Sequence, residues 1–236
     1  MVNIPAAVQK GILMQNKFDT KKLSSLAMLS AMALALAAVA KIFPPIVSVP
    51  GLSLRYDPKD IIIVISGFLY GPLPAFLVSL VVSLIEMVTV SENGAIGLLM
   101  NVISSCAFAC LAAFVYKYKR TIVGAVCGLV AGWLFTTLVM LLWNYLITPI
   151  YTGAPRGVVA GMLIPVFLPF NLIKGGLNAS MALLIYKPVR AALIKSKLMP
   201  KPMNNKRGRV NVGAIIASLF VIATCVLCIL VINNLI

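Results

Sequence analysis

An amide and an ammonium group lie three residues apart, at Asn171 and Lys174, in a stretch that is otherwise almost wholly apolar. On a helix, residues at this spacing project from the same face. Lys187, the next basic residue, is roughly 20 Å further along a helix, which is farther than a lysine side chain extends. The pair could therefore donate and accept hydrogen bonds at a ligand inside an apolar region.

The composition of the chain indicates an integral membrane protein. Apolar residues make up 61% of the 236 residues and charged residues 11%, which is more hydrocarbon surface than a soluble domain can bury. Several apolar runs reach the roughly 20 residues that cross a bilayer core, which favours a bundle of helices over a barrel of strands. An unpaired cation at that depth costs at least about 2.5 kcal/mol, so we expect Lys174 to face a polar cavity or a partner.

The hydrophobic pattern predicts an all-α membrane protein with a six-helix bundle and one additional C-terminal transmembrane helix. Four regions are expected: a basic N-terminal lead (1–22), a six-helix substrate-binding domain (23–190), a basic cytoplasmic linker (191–209) and the additional helix (210–236). The six helices are expected at about 23–43, 60–70, 74–90, 95–116, 121–148 and 158–186, the last interrupted by Pro165 and Pro169. The Pro- and Gly-rich segment 44–60 is expected to form an ordered loop or short hairpin, and 91–94 a turn.

The basic residues indicate the orientation of the bundle rather than a nucleic-acid interface. The net charge is +15, but the lysines and arginines lie in short segments between hydrophobic runs. If six helices alternate across the membrane, fifteen of the twenty basic residues fall on one side, which the positive-inside rule assigns to the cytoplasm. We therefore expect a multi-pass protein of the plasma membrane with a cytoplasmic N-terminus. Its expected surroundings are the lipid bilayer, with no nucleic acid as partner.

The sequence lacks the motifs of common enzyme and pump classes. It has no histidine, no GxxxxGK[ST] loop and only five acidic residues, none arranged as a catalytic pair, so we expect neither an enzyme nor ATP hydrolysis by this chain. It also shows no inverted repeat of the kind found in secondary transporters. The five cysteines lie within apolar runs and lack a second ligand pair, so we interpret them as buried small hydrophobic residues rather than a metal site.

Further polar residues are predicted to converge with Asn171 and Lys174 on the outer half of the bundle. Asn144, Asn101 and Glu86 each lie within about two turns of the outer end of a predicted helix. They would line an outward cavity together with four aromatic residues: Trp143, Tyr145, Tyr151 and Phe167. Such a cavity suits a flat, partly apolar ligand with hydrogen-bonding edges. The alternative is that Asn171 and Lys174 only hold helices together, through Glu86 for example.

Two other segments have both a structural and a functional interpretation. The loop LRYDPKD, residues 54–60, could cover the cavity or begin the second helix with its Asp and Pro residues, and the two roles are compatible. In the first helix, Ala27 and Ala31 are four residues apart, as are Ala33 and Ala37. Small residues in such rows let another helix approach closely, and that helix belongs either to the same bundle or to a partner membrane subunit.

Five sequence elements together resemble the riboflavin-specific substrate-binding S components of energy-coupling factor (ECF) vitamin transporters. They are LAMLSAMALAL, LRYDPKDIIIVISGFLYGPLPAFLVSLVVSLIE, GAIGLLMN, WNYLITPIY and FNLIKGGLN, and the resemblance covers about residues 23–190. It implies a six-helix fold in a bacterial cell membrane with both ends of the core in the cytoplasm. It implies no cofactor, because riboflavin is the transported ligand, captured outside the cell; binding of FMN is left open.

The resemblance also implies roles for individual residues and partners. Asn144, Asn171 and Lys174 match the family's polar residues that hold the flavin ring and its ribityl chain. With the covering loop and the neighbouring positions, the expected substrate-binding residues are Leu54, Tyr56, Asp57, Asn101, Trp143, Asn144, Asn171 and Lys174. The two alanine rows of the first helix match the surface that docks on a transmembrane coupling subunit, which joins two ATP-binding subunits.

Two alternatives and one departure from the family accompany this resemblance. A sibling S component for another vitamin, such as thiamine, would have the same fold, and a non-transporting membrane scaffold or sensor would use Asn171 and Lys174 for stability alone. The predicted helix at 210–236 has no counterpart in the six-helix core. It could flank the module, shield a face or anchor the protein, and it would put docking in doubt if it covered the first helix.

Overall fold

A computed structural model describes residues 6–49, 52–89, 94–198 and 212–232. The α-helices in this part of the chain are α1 (Ala6–Ala40), α2 (Lys59–Tyr70), α3 (Pro72–Thr89), α4 (Gly94–Tyr118), α5 (Ile122–Thr152), α6 (Arg156–Met162), α7 (Leu168–Lys195) and α8 (Val212–Ile232). Six of the described helical segments are long and apolar enough to cross a membrane, with α6 and α7 counted as one. Together with the short α2, they confirm the predicted six-helix bundle with one additional C-terminal helix.

Helix α1 begins at Ala6 rather than near Leu23. Residues 6–22 of the predicted lead are therefore a helical extension of the first membrane span, whose apolar part is Thr20–Ala40. The segment contains no proline after residue 5 and many good helix formers, so nothing in it ends the helix. Residues 1–5 lie outside the described part of the chain.

The two alanine rows of α1 lie in different surroundings. Ala33 is 0% exposed and Ala37 5%, so both pack within this chain. Ala27 and Ala31 are exposed. The rows differ because six residues, the distance from Ala27 to Ala33, turn a helix by about one and two-thirds turns. The prediction of a docking surface is therefore wrong for Ala33 and Ala37, and only the row of Ala27 and Ala31 is accessible to a partner.

The segment between α1 and α2 contains a short hairpin, as predicted. Strands β1 (Val47–Val49) and β2 (Leu52–Leu54) pair antiparallel, with Val47 opposite Leu54. The Arg55 guanidinium ties the hairpin to the end of α1, since its Nη1 donates to the Phe43 carbonyl at 2.9 Å. The strands therefore lie at one end of the bundle, which we call the hairpin end.

Helix α2 is too short to span a membrane and lies at the centre of the bundle. All five residues from Ile61 to Ile65 are buried, so the helix is covered on every side. Its first turn contains Lys59 and Asp60, and the Asp57 carboxylate accepts a hydrogen bond from the Lys59 N–H at 3.3 Å. Gly71, with φ of 104°, ends the helix in a conformation that favours glycine. The sequence of α2 thus places two charged side chains inside the protein.

Pro165 and Pro169 do not break the last helix of the core. Pro165 lies in a π-helical turn, Leu163–Phe167, and Pro169 occupies the first turn of α7, where a missing N–H is tolerated. Helix α7 continues to Lys195, nine residues beyond the predicted end, so the predicted linker (191–209) begins as helix. Residues 199–211 and the greater part of the predicted turn at 91–94 lie outside the described residues.

All five cysteines are free thiols, but their exposure varies. Cys225 is buried against α7, Cys106 and Cys110 are partly buried, and Cys127 and Cys228 are exposed on the sides of membrane helices. The interpretation of all five as buried residues is therefore wrong for Cys127 and Cys228. A small thiol on the lipid-facing side of a helix needs no polar partner, since it behaves as a weakly polar hydrophobic group.

Candidate functional site

A cavity opens at the hairpin end of the bundle, between the hairpin, α1, α2, α3, α4, α5 and α7. Seven of the eight predicted substrate-binding residues line it: Leu54, Tyr56, Asp57, Asn101, Asn144, Asn171 and Lys174. Apolar lining comes mainly from Ala37, Met100, Met140 and Phe170. The cavity thus combines an apolar interior with amide, ammonium and carboxylate groups from five elements.

Trp143 does not line this cavity, and the prediction that it does is wrong. Adjacent residues on a helix point about 100° apart, and at Trp143–Asn144 only the asparagine lines the cavity, whereas both members of the pair Phe170–Asn171 do. Two of the other predicted aromatic residues also lie elsewhere, since Phe167 is fully buried in packing and Tyr145 is 42% exposed. Tyr151 alone of the four lines the cavity.

Asn171 is held by the turn that precedes it. Its Nδ2 donates to the Phe167 carbonyl, one turn earlier, at 2.7 Å. Phe167 is the last residue of the π-helical turn, where the regular hydrogen-bonding pattern of the helix changes. Within the described part of the chain, this is the only hydrogen bond of the side chain, so its Oδ1 remains available as an acceptor. The amide is buried, with 6% of the residue exposed, and its orientation is fixed.

Lys174 pairs with Asp60 and not with Glu86. Its Nζ lies 3.6 Å from Asp60 Oδ2, and its side chain is 16% exposed in the cavity. Asp60 is 3% exposed and accepts two further hydrogen bonds, from Ser105 Oγ at 2.5 Å and from Asn178 Nδ2 at 3.5 Å. The ammonium is therefore balanced by one buried carboxylate, and the Lys174 side chain lines the cavity.

Glu86 belongs to a second ion pair, with Lys59. Lys59 Nζ lies 2.6 Å from Glu86 Oε2 and 2.6 Å from Asp57 Oδ2, and its side chain is 1% exposed. Asn101 Nδ2 also donates to Glu86 Oε2, at 3.1 Å. Burial raises the pKa of Asp57, but the nearby ammonium groups of Lys59 and Lys174 outweigh it and hold the pKa below its usual value. Asp57 is thus ionised at neutral pH and joins the loop to Lys59 of α2, whose ammonium in turn binds Glu86 of α3.

Tyr56 connects the loop to α7. Its hydroxyl donates to Asn178 Oδ1 at 2.8 Å, and Asn178 Nδ2 donates back to the Asp57 carbonyl at 3.1 Å. Burial, with the nearby carboxylates of Asp60 and Asp57, raises the pKa of Tyr56, so the phenol stays protonated and acts as a donor. The covering loop is therefore attached to the helix that contributes Asn171 and Lys174.

Asn144 is oriented by its own helix. Its Nδ2 donates to the Met140 carbonyl at 2.7 Å, and its Oδ1 accepts from Thr148 Oγ1 at 2.9 Å. Asn144 and Asn171 thus both donate to the carbonyl one turn earlier. They differ at Oδ1, which is occupied in Asn144 and available in Asn171.

Three residues important for this geometry are not among the predicted substrate-binding residues. Lys59 and Asp60 belong to the segment 54–60, which is predicted to cover the cavity or begin a helix, and Asn178 lies on the same helix as Asn171 and Lys174. Asn178 carries a signal that could have revealed it, because Asn171, Lys174 and Asn178 follow the i, i+3, i+7 spacing of one helix face. Buried polar residues on one face of a membrane helix indicate a shared polar environment.

The chain matches the family model described as "ECF transporter, substrate-specific component" over residues 21–186. It is 27% identical over 178 residues to the riboflavin transporter RibU of Staphylococcus aureus (strain TCH60), an alignment covering 73% of this chain and 92% of the relative. It is 30% identical over 171 residues to the riboflavin transporter FmnP of Bacillus subtilis (strain 168), covering 66% of this chain and 84% of the relative.

A solved structure of similar fold supports the same grouping. It is described as "Structure and mechanism of the S component of a bacterial ECF transporter", with a TM-score of 0.61 and 27% sequence identity. The match covers 98% of that chain and 74% of this one. The family match ends at residue 186, before α8.

Proposed function

The chain belongs to the family of substrate-specific components of ECF transporters, and we propose that its substrate is riboflavin. It is a multi-pass membrane protein with a substrate-binding role in transport, and its family is not one of enzymes. The proposal extends this role in two ways. Riboflavin is captured at the hairpin end of the bundle, and it is delivered inward with an ATP-driven ECF coupling module.

The observation that carries the proposal is the grouping of Asn144, Asn171 and Lys174 in one cavity with apolar walls. Riboflavin has a flat ring system with carbonyl acceptors and an N–H donor, and a ribityl chain whose hydroxyls donate and accept. The Lys174 ammonium suits a carbonyl or hydroxyl oxygen, and the available Oδ1 of Asn171 suits an N–H or O–H donor. The names of the two relatives, both riboflavin transporters, agree with this choice of ligand.

Asp60 has a positioning role in this scheme. It is anchored by Ser105 and Asn178 and lies 3.6 Å from the Lys174 ammonium. The carboxylate offsets the cost of a cation at membrane depth and limits the directions that the lysine side chain can take. Lys59 and Glu86 position two other cavity residues in the same way. Lys59 binds the Asp57 carboxylate, and Glu86 accepts a hydrogen bond from Asn101.

Entry of riboflavin would require the hairpin and loop to move. The cavity has a volume of about 180 Å³, less than the roughly 300 Å³ at the lower end of ligand pockets. The hairpin and the loop 54–57 form one wall, and they are held by hydrogen bonds from Arg55 to α1 and from Tyr56 to α7. These contacts would break and re-form during capture, while the ion pair between Asp57 and Lys59 keeps the end of the loop attached to α2.

The proposed partners are a transmembrane coupling subunit and two ATP-binding subunits, with the N-terminus of this chain in the cytoplasm. The excess of basic residues on one side of the predicted topology supports the orientation. The exposed alanines Ala27 and Ala31 offer the coupling subunit a surface for close helix packing. Helix α8 packs on α7 and leaves these alanines exposed, so it does not obstruct that surface.

Riboflavin titration of the detergent-purified protein tests the proposal. The absorbance spectrum is recorded first, and the protein is then stripped and titrated with riboflavin, FMN and thiamine while flavin and intrinsic fluorescence are measured. Saturable quenching of flavin fluorescence at submicromolar riboflavin is expected. Binding of thiamine in place of riboflavin would assign the site to another vitamin, and a folded protein that binds none of the three would favour a scaffold or sensor.

A further inference from the structure

Helix α8 lies beyond the family match and contacts the substrate-binding domain at a defined place. Its inward side consists of Val221, Ile222, Cys225 and Ile229. These residues form one apolar cluster with Ile173 and Leu177 of α7 and with Tyr56 of the covering loop. The rest of α8 is largely exposed, with Phe220 at 73% and Leu227 at 55%. The additional helix therefore has one packed face, and that face meets the ligand-bearing segment of α7.

The α7 residues that contact α8 directly precede two of its polar residues. Ile173 precedes Lys174, and Leu177 precedes Asn178. By helical geometry, each of these contact residues projects about 100° from the polar residue that follows it, so the contact face lies beside the cavity face of α7. Helix α8 thus packs beside the face of α7 that carries Asn171, Lys174 and Asn178.

Gly176 allows the two helices to approach closely. A Cβ atom at this position would lie 3.3 Å from Cys225 Sγ and 3.3 Å from the Trp133 ring, closer than most side-chain contacts. At the neighbouring Gly175, a Cβ atom would overlap Trp133. This part of α7 is therefore held between Trp133 of α5 and Cys225 of α8.

Tyr56 contacts both α7 and the apolar cluster that includes α8. Its hydroxyl donates to Asn178, and its ring packs against the cluster formed with α8. A displacement of α8 would remove the apolar support of the ring and leave the loop attached mainly through hydrogen bonds. The loop lines the cavity, so its attachment bears directly on how long a ligand stays bound.

We infer that α8 is a positioning element of the binding site, which holds the Ile173–Leu177 face of α7 and the ring of Tyr56 in place and thereby slows ligand release. The inference rests on riboflavin as the proposed ligand only for its kinetic part. The structural part, restraint of α7 and the loop, holds for the protein without ligand.

The test compares two double variants of the full chain with matched chemistry. Val221→Ala with Ile222→Ala trims the inward face, and Phe220→Ala with Leu227→Ala trims the exposed face. Riboflavin dissociation is measured by stopped-flow flavin fluorescence, and hydrogen exchange of residues 54–58 and 171–178 is measured without ligand. The inward variant is expected to release riboflavin about fivefold faster and to exchange faster in both segments, since segments with fewer buried apolar contacts open locally more often. The exposed variant is expected to match the wild type.

A disulfide supplies the reverse experiment. Gly176→Cys places a new thiol within bonding reach of native Cys225. Gly176→Cys is added to the inward variant. When the new disulfide is oxidised, the rates of riboflavin release and of hydrogen exchange are expected to return toward wild-type values, and when it is reduced they are not. The same protein with Cys225→Ser is the control and should not respond to oxidant. If the inward double variant does not fold, Ile222→Ala alone replaces it, with a smaller effect in the same direction.

Three outcomes would overturn the inference: equal exchange in a folded inward variant and the wild type, equal acceleration by both double variants, or failure of the oxidised Gly176→Cys protein to crosslink. A wild type that binds no riboflavin would instead refute the proposed function. In that case the exchange measurement still decides whether α8 restrains α7 and the loop.

Discussion

The contact between α4 and α5 and the cavity at the hairpin end use opposite kinds of residue to bring helices together. In the α4–α5 contact, a Cβ atom at Gly128 would lie 2.6 Å from the Ala112 carbonyl oxygen, and one at Gly132 would lie 2.5 Å from that of Phe108. The backbones touch because these side chains are absent. At the hairpin end, the ion pairs Lys59–Glu86 and Lys174–Asp60 join neighbouring helices through long charged side chains.

The difference follows from what a membrane offers as solvent. Lipid is as apolar as leucine, so helices associate through close van der Waals contact, and small residues provide it at little cost. Burying a charge in the membrane costs free energy, so charged side chains occur there mainly where they form ion pairs and line a functional cavity. Damage to the α4–α5 contact should therefore affect folding, and damage at the hairpin end should affect binding.

The largest loss of stability is expected from Gly128→Val. The new side chain would meet the backbone of α4, which cannot rotate away, so the helices must separate at a cost of about 3 kcal/mol or more. We expect a large loss of monodisperse protein and a lower melting temperature, measured by size-exclusion chromatography and thermal unfolding. Gly161→Val is the matched control, because a Cβ atom there has no neighbour within 4 Å. Equal behaviour of the two variants would contradict the assigned role of the α4–α5 contact.

The second effect is expected from Lys174→Ala, at the hairpin end. It removes a charge-assisted donor, which should cost about 1.5 to 3 kcal/mol of binding, or roughly tenfold or more in riboflavin affinity. Asp60 retains Ser105 and Asn178 as partners, so the protein should remain folded. Fluorescence titration measures the affinity, with Lys195→Ala, an exposed cation on the same helix, as control. Unchanged affinity in a well-folded Lys174→Ala protein would remove Lys174 from the site.

A smaller effect is expected from Asp60→Asn, and its dependence on Lys174 is the informative part. The substitution keeps the shape but removes the charge that restrains the ammonium, so we expect about threefold to tenfold weaker binding. In a Lys174→Ala background the same substitution should change the affinity little, because its target is gone. Titration of the wild type, both single variants and the double variant gives the coupling. Additive losses would show that Asp60 acts independently of Lys174.

The fold was predictable from the sequence because hydrophobic runs and proline positions determine where membrane helices begin and end. Residues within one helix were predictable for a similar reason, as the spacing of Asn171 and Lys174 fixes their common face. The rule does not decide whether an adjacent residue also faces the cavity, since Met100 lines it beside Asn101 whereas Trp143 does not line it beside Asn144.

Contacts between helices were much less predictable. Whether Lys174 meets Asp60 or Glu86 depends on the rotation and depth of α2 and α3, which the spacing within α7 does not determine. The partition of the alanine rows, with Ala33 inward and Ala31 outward, depends on the same rotations. The position of α8 was equally open, because an apolar run of that length can pack on any lipid-facing side of the bundle.

The smallest effect on the purified protein is expected from Ala31→Leu, which enlarges an exposed residue on α1 away from both regions. Riboflavin affinity and melting temperature should equal those of the wild type, since neither the cavity nor the packed core changes. Ala33→Leu, two residues further on, should lower the melting temperature, because its site is fully buried and has no room for three more carbon atoms. Uptake of riboflavin by cells or vesicles that contain the coupling module should nevertheless fall with Ala31→Leu, since the larger side chain keeps the partner helix at a distance. Normal uptake would place the docking surface elsewhere, whereas loss of binding by the isolated variant would show that this row supports the site from outside.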